Sequence, residues 1–307
     1  MKLRSLQYQD QKFTYADHEI VFPAFATEAL HRILLQWQDI FPREQTLIQS
    51  RYNVPSLFVR FDCSISSEGQ VQIYEIQDGP AWVGYTGVAN DAFRKIRDRV
   101  VQDEWSSLKV LRVETQADKD DDLWLPRADI REALETPGPL IVRDWLPRDL
   151  SQEQRGLIIG KSVRPVTTHN NKSYGVEFGW WKLVSWEDTS EGTLLPWDTE
   201  FVLKPRFGFG SRDIMLWRPN DRSGRATQTQ IKRVLKERTQ MYLQPFIQPL
   251  YMELDGSKYN FIYRPYFIFS GTQRKWIPAH GVWTARPYPT FRIHGASDAI
   301  SGPLRME

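Results

Sequence analysis

The chain has 307 residues, of which 41% are hydrophobic and 13% aromatic, enough to bury a sizeable core as one large domain or two ordinary ones. Forty basic residues against 38 acidic give a formal charge of +2, which argues against a whole-molecule field for nucleic acid or an anionic membrane and leaves any anion site local. The single cysteine, Cys63, excludes an internal disulfide framework and a cysteine metal site. With no apolar h-region in "MKLRSLQYQDQKF" and no run approaching ~18 uncharged apolar residues, the expectation is a soluble cytoplasmic protein without a cleaved address.

From Thr27, a good N-cap, "TEALHRILLQWQDIF" sets Leu30, Ile33, Leu34, Trp37 and Phe41 at helical spacing and predicts a core-facing helix. Residues 59–79, "VRFDCSISSEGQVQIYEIQDG", then read as a β-hairpin turning at Glu68-Gly69. "NDAFRKIRDRVV" predicts a second helix capped by Asn90, with Phe93, Ile96 and Val100 on one face. Short strands in "LKVLRVE" and "LIVRDWL" flank a helical "RADIREALE", and residues 117–122, "ADKDDD", read as a solvated loop. Strands alternating with helices predict an N-terminal α/β unit over residues 1–150.

"TPGPLIVRDWLPRDLSQEQ" carries three prolines and a glycine and predicts a boundary between residues 145 and 160. Beyond it, over residues 151–307, the strands "TEFVLKPRF", "RDIMLWRP", "QMYLQPFI", "YNFIYRPYFIF" and "KWIPAHGVWTARP" surround one helix, "TQTQIKRVLKER", an α+β pattern of antiparallel sheet. In "FVLKPRFGFGSRDIMLW", Lys204 ends one strand and Gly208 and Gly210 lie in the loop before the next. Glycines let backbone amides approach an anion, and a strand lysine can set its ammonium on a phosphate; the same pattern also suits an ordinary turn. Gln244 and the segment from Leu243 to Ile247 would give the strand edge and apolar slot that an adenine needs. The five histidines show no metal-ligand spacing, and the tryptophans of "GWWKLVSW" fit sheet and core better than base stacking.

The hairpin holds the sharper pattern. A two-residue turn pairs Asp62 with Glu75 and Arg60 with Gln77, and leaves Phe61, Cys63, Tyr74 and Ile76 on the opposite, apolar face. A three-residue turn would slip the register and separate the carboxylates. Facing carboxylates repel unless a cation joins them, and magnesium takes a few carboxylate or amide oxygens, which suits Asp62, Glu75 and Gln77. Arg60 would remain as a forked donor for phosphate or carboxylate. The bland alternative is a solvent-facing surface on which Arg60 pairs with Asp62 or Glu75.

"RFD" at Arg60 to Asp62 and "YEIQDGPA" from Tyr74 resemble the signature of glutathionylspermidine synthase-like proteins, a permuted branch of the ATP-grasp superfamily. "FVLKPRFGFGSRDI" and "YLQPFI" resemble that superfamily's nucleotide-binding strand, glycine loop and hinge, and the acidic hairpin precedes the lysine strand, which is the permuted order. The resemblance implies antiparallel sheets clasping ATP, and Mg-ATP-dependent amide formation from a carboxylate and an amine through an acyl phosphate. It implies magnesium ligands at Asp62, Glu75 and Gln77 and a phosphoryl-stabilising Arg60. Lys204 and the loop containing Gly208, Gly210 and Ser211 would hold phosphates, with Gln244 and Phe246 at the base end. A second ATP lysine is expected at Lys172 or, preferably, Lys182, and Arg286 and Arg292 are candidates for a substrate carboxylate or γ-phosphate. Gln77 departs from the family's asparagine. A small-molecule kinase, or a binding module without turnover, would keep the same fold.

Overall fold

A computed structural model describes residues 2–8, 11–44, 52, 54–78, 83–111, 125–142, 146–147, 149–163, 174–187, 195–205, 214–219, 227–238, 240–291, 293 and 298–307. The chain divides into two compact units, Met1–Val166 with Pro249–Glu307, and Thr167–Gln248. The architecture is mixed α+β.

The first unit begins with β1 (Leu3–Tyr8), β2 (Gln11–Ala16), β3 (Ile20–Phe22) and α1 (Ala24–Glu44). The hairpin β4 (Phe58–Ile65) and β5 (Val71–Asp78) follows, then α2 (Val83–Ala89) and α3 (Asp91–Glu104). A parallel segment comprises β6 (Lys109–Leu111), β7 (Arg127–Ala128), α4 (Ile130–Glu135), β8 (Leu140–Val142) and α5 (Gln152–Gly160). The second unit contains α6 (Tyr174–Glu177), β9 (Lys182–Ser185), β10 (Phe201–Pro205), β11 (Met215–Trp217), α7 (Gln228–Arg238) and β12 (Gln240–Pro245). The chain then returns to the first unit with β13 (Leu250–Leu254), β14 (Ser257–Ser270), β15 (Lys275–Pro287) and β16 (Ile300–Met306).

Nine strands form the main sheet, in the order β1-β2-β16-β15-β14-β4-β5, with β13 beside β14 and β3 beside β16. Here the structure departs from the expected division at residues 145–160 with one region running on to 307. The cause is β14, which pairs with β15 on one side and with β4 of the early hairpin on the other. A ladder between residues some 200 apart leaves no local trace in composition.

Helix α1 covers one face of this sheet. Its Leu30, Leu34 and Trp37 are buried, and His31 stacks on Phe267. The Pro23 carbonyl accepts the first helical bonds, from Ala26 and Thr27, so Thr27 lies inside the first turn rather than capping it. Phe41 has its side chain outside the described residues. The opposite face is covered by α2 and α3. Asn90 caps α3 as expected, accepting from the Ala92 and Phe93 amides, and it also donates to the carbonyls of Gly281 and Leu304. One side chain thus pins helix to sheet.

The expected α/β character is confined to the parallel sheet β7-β6-β8, packed on α4 and α5 through Leu111, Ala133, Val142 and Ile158. The buried Lys161 ammonium donates to the carbonyls of Ala133, Leu134 and Thr136 and so caps the C-terminal end of α4, where the helix dipole favours a cation. In the second unit the sheet is β11-β10-β12-β9, antiparallel throughout, with Ile231 and Leu235 of α7 fully buried on one face against Phe201, Leu203 and Met241. Each such side chain contributes about 1.5–3 kcal/mol of apolar burial. The acidic tract at residues 117–122 lies outside the described residues.

Candidate functional site

The hairpin register is as the sequence predicts at its base: Asp62 faces Glu75 and Arg60 faces Gln77. The turn is not the expected two-residue one. Ser66 bonds back to Gln70, Gly69 takes φ +76°, and Ser64 pairs with Gln72, which is the slipped register. A β-bulge between Asp62 and Cys63 restores the carboxylate pair by taking up Tyr74 as its extra residue. Tyr74 therefore leaves the apolar face where the alternation puts it. Its hydroxyl donates to Ser64 Oγ at 3.2 Å, and buried Ile73 takes the core position beside Cys63 and Ile76. Burial raises both the Tyr74 phenol and the Cys63 thiol above their ordinary ranges.

The polar face of the hairpin is buried along β4 and half-buried along β5, where Glu75 and Gln77 lie. Arg60 and Asp62 are 4% and 7% exposed, so their charges require partners inside the protein. Arg60 Nε donates to Asp62 Oδ1 at 3.0 Å and Nη2 donates to Gln77 Oε1 at 2.6 Å, while Gln77 Nε2 donates to Glu75 Oε2 at 2.9 Å. A second guanidinium meets them from β14. The β4–β14 pairs Cys63 with Tyr263 and Arg60 with Tyr266 bracket Asp62 and Arg264. Arg264 Nη2 reaches Asp62 Oδ2 at 3.4 Å and its Nε stands 3.4 Å from Oδ1. Its other contacts are Thr284 Oγ1 at 3.3 Å and the Ile293 carbonyl at 2.8 Å.

Burial opposes the charge on both arginines. For Arg60 the carboxylate of Asp62, helped by Tyr266 and Glu75, outweighs it and the pKa rises; for Arg264 burial wins over Asp62, and neighbouring Arg60 adds to the lowering. A guanidinium stays protonated in either case. Arg60 and Arg264 also line a cavity of about 20 Å³ with Tyr85, Thr86, Thr284 and Ser301. Burial pushes the Tyr85 phenol up to about 12, although Ser301 hydrogen-bonds it. The sequence marks Arg264 only as the charge of the long strand after Gln244, with nothing to join it to Asp62, and does not mark Thr86, Thr284 or Ser301. Only Arg264 left a signal, a charged residue inside the apolar run "YNFIYRPYFIF".

Magnesium would find oxygen donors of the right chemical type in Asp62, Glu75 and Gln77, adjacent on one face. Among the described residues no three His, Cys, Asp or Glu side chains gather as a metal site, so the set depends on the Gln77 amide as its third donor. The carboxylate repulsion that motivated a cation is already offset here by Arg60, Arg264 and the Gln77 amide.

In the second unit Lys204 is buried on β10 with its ammonium 4.8 Å from the centre of the Trp181 ring. Gly175 makes that ring's position possible, since a Cβ there would stand 2.2 Å from the indole. Lys204 pairs with Tyr242 and Val202 with Gln244, so lysine, tyrosine and buried Gln244 share the face of the sheet opposite α7. Tyr242 in turn pairs with Leu183. Lys182, one residue earlier, consequently lies on the other face, with Val184 and Met241, and does not join Lys204. A strand-like run carries no mark of which of two adjacent residues will face a given partner. Phe246 donates its amide to the Glu200 carbonyl, and its ring lies 4.7 Å from the guanidinium of Arg218, which pairs with the Glu200 carboxylate.

Arg286 makes a two-pronged pair with Asp298 at 2.9 and 2.8 Å. Gly208, Gly210, Ser211, Lys172 and Arg292 lie outside the described residues. No helix is long and apolar enough to cross a membrane among the described residues. No protein-family model and no curated protein matches the chain.

Proposed function

We propose that this protein is a Mg-ATP-dependent carboxylate-amine ligase of permuted ATP-grasp fold, acting in the cytoplasm on a peptide or amino-acid-like acid. The observation that carries this reading is the hairpin face on which buried Arg60 and Asp62 stand opposite half-buried Gln77 and Glu75 as two facing pairs. A desolvated cluster of that composition is costly to maintain for stability alone, and its order along the chain agrees with the resemblance in "RFD" and "YEIQD".

In this reading a substrate carboxylate oxygen attacks the γ-phosphorus of ATP and ADP leaves; the amine nitrogen then attacks the acyl carbon and inorganic phosphate leaves. Asp62, Glu75 and Gln77 would hold magnesium, which when bound supplies neutralising charge to phosphate oxygens. Arg60 stabilises charge on the phosphoryl group in transfer. The resemblance assigns phosphate to Lys204 and to Gly208, Gly210 and Ser211, the base to Gln244 and Phe246, and a substrate carboxylate to Arg286 or Arg292.

A second reading has a specific observation in its favour. Asp62 is already held by two guanidiniums, as in a binding or assembly module that keeps the fold without turnover. Phosphate release from ATP, with hydroxylamine trapping against a panel of amino acids and short peptides, separates the readings. The ligase yields a hydroxamate, a small-molecule kinase yields none, and Asp62→Ala or Glu75→Ala abolishes release. Failure of the wild type both to bind Mg-ATP in calorimetry and to gain thermal stability from it overturns the enzymatic readings.

A further inference from the structure

Asp62 contacts two buried arginines, and those contacts are unequal. Arg60 donates at 3.0 Å from the same strand. Arg264 reaches both Asp62 oxygens from β14 at 3.4 Å, longer than a well-formed charged hydrogen bond, while its firmer bond at 2.8 Å goes to the Ile293 carbonyl. A divalent cation on Asp62 would need the oxygens that Arg264 faces, and would stand close to its positive charge.

We propose that Arg264 is a positioning residue that competes with a divalent cation for Asp62. The inference rests on the magnesium role of Asp62 proposed above and adds to it a control that the resemblance does not supply: the guanidinium holds Asp62 in place and limits how readily metal is taken. The cation displaces Arg264 rather than Arg60, because the Arg264 contact is the longer one. Arg264 keeps its bonds to Thr284 and Ile293 when it gives up Asp62, so displacement leaves it anchored.

The two roles a buried arginine can play differ in sign. A merely structural arginine, once removed, loosens the site and weakens or spares metal binding. A competitor, once removed, tightens it. Mn2+ binding to the full chain without nucleotide, followed by electron paramagnetic resonance, reads this directly. In Arg264→Gln, Mn2+ binds about tenfold more tightly than in the wild type, the factor one charge-assisted hydrogen bond of modest strength is worth. Arg264→Lys keeps a charge in the sheet but lacks the fork, and shifts affinity the same way by a smaller factor; it serves where the glutamine variant fails to fold. Wild-type binding with no tightening in either folded variant overturns this inference and leaves the magnesium reading standing. Absence of Mn2+ binding in the wild type and in both variants overturns the two together.

Discussion

Asp62→Asn tests whether the hairpin cluster is a desolvated ionic unit. Asparagine keeps the size and one accepting oxygen but removes the negative charge from between two guanidiniums, one 3.0 Å and one 3.4 Å away. At an effective dielectric of ~20 and charge separations of ~4 Å, each arginine loses about 4 kcal/mol of attraction. Part of that returns because a carboxylate need no longer be stripped of water, and the expected net loss is about 3 kcal/mol, the lower end for breaking a buried pair. With a urea m-value of ~3 kcal/mol/M, the midpoint followed by tryptophan fluorescence falls by about 1 M. The Asp62→Asn, Arg264→Gln double variant recovers part of the loss, since the arginine left without its carboxylate is gone. A loss below ~1 kcal/mol, the value of an exposed ion pair, would refute the reasoning, because water would then be screening the charges.

Asn90→Ala removes the cap of α3 and the donor to the Gly281 and Leu304 carbonyls together, for an expected ~2–3 kcal/mol in the same denaturation assay, whereas an isolated cap is worth about 1. His280 Nδ1 accepts from the Met306 amide at 3.0 Å, and burial lowers its pKa against the opposing pull of Glu19. Its contribution is therefore complete above the unfolded-state value near ~6.5 and is lost as pH falls through the lower folded-state value. Urea midpoints at neutral and mildly acidic pH should show that loss in the wild type and a flatter profile in His280→Gln. Gly175→Ala drives the Trp181 indole from its place beside Lys204; quenching of tryptophan fluorescence by acrylamide should rise, and Mg-ATP affinity fall at least tenfold if Lys204 binds phosphate.

What the sequence disclosed tracks how local the cause is. The helix of Ile231 and Leu235, the Asn90 cap and the long strand at Lys275–Pro287 each follow from neighbours within a few turns or pleats. The Asp62–Glu75 pair was foreseen, yet by a turn of the wrong length; a bulge at Tyr74 corrected the register. Lys182 was preferred as a second ATP lysine, but the β9–β12 pairing sets Leu183, not Lys182, opposite Tyr242. Arg264 was missed as a partner of Asp62 because 202 residues separate them and only the β4–β14 ladder brings them together. Likewise the placement of Pro249–Glu307 beside the N-terminal hairpin depends on that ladder rather than on any property of the segment.

Tyr74 makes the hairpin one residue longer than its ladder requires. Excising it would bring Ile73 and Glu75 into direct succession and leave each of the neighbouring pairs, Cys63 with Ile73 and Asp62 with Glu75, with the partner it already has. The tip and the base of the hairpin are in this sense separately editable: a length change in the turn can be absorbed at the bulge before it reaches the charged pairs. A lineage could gain or lose a residue at the tip, and a designer could graft a different turn there, without moving Arg60 and Asp62 relative to Gln77 and Glu75.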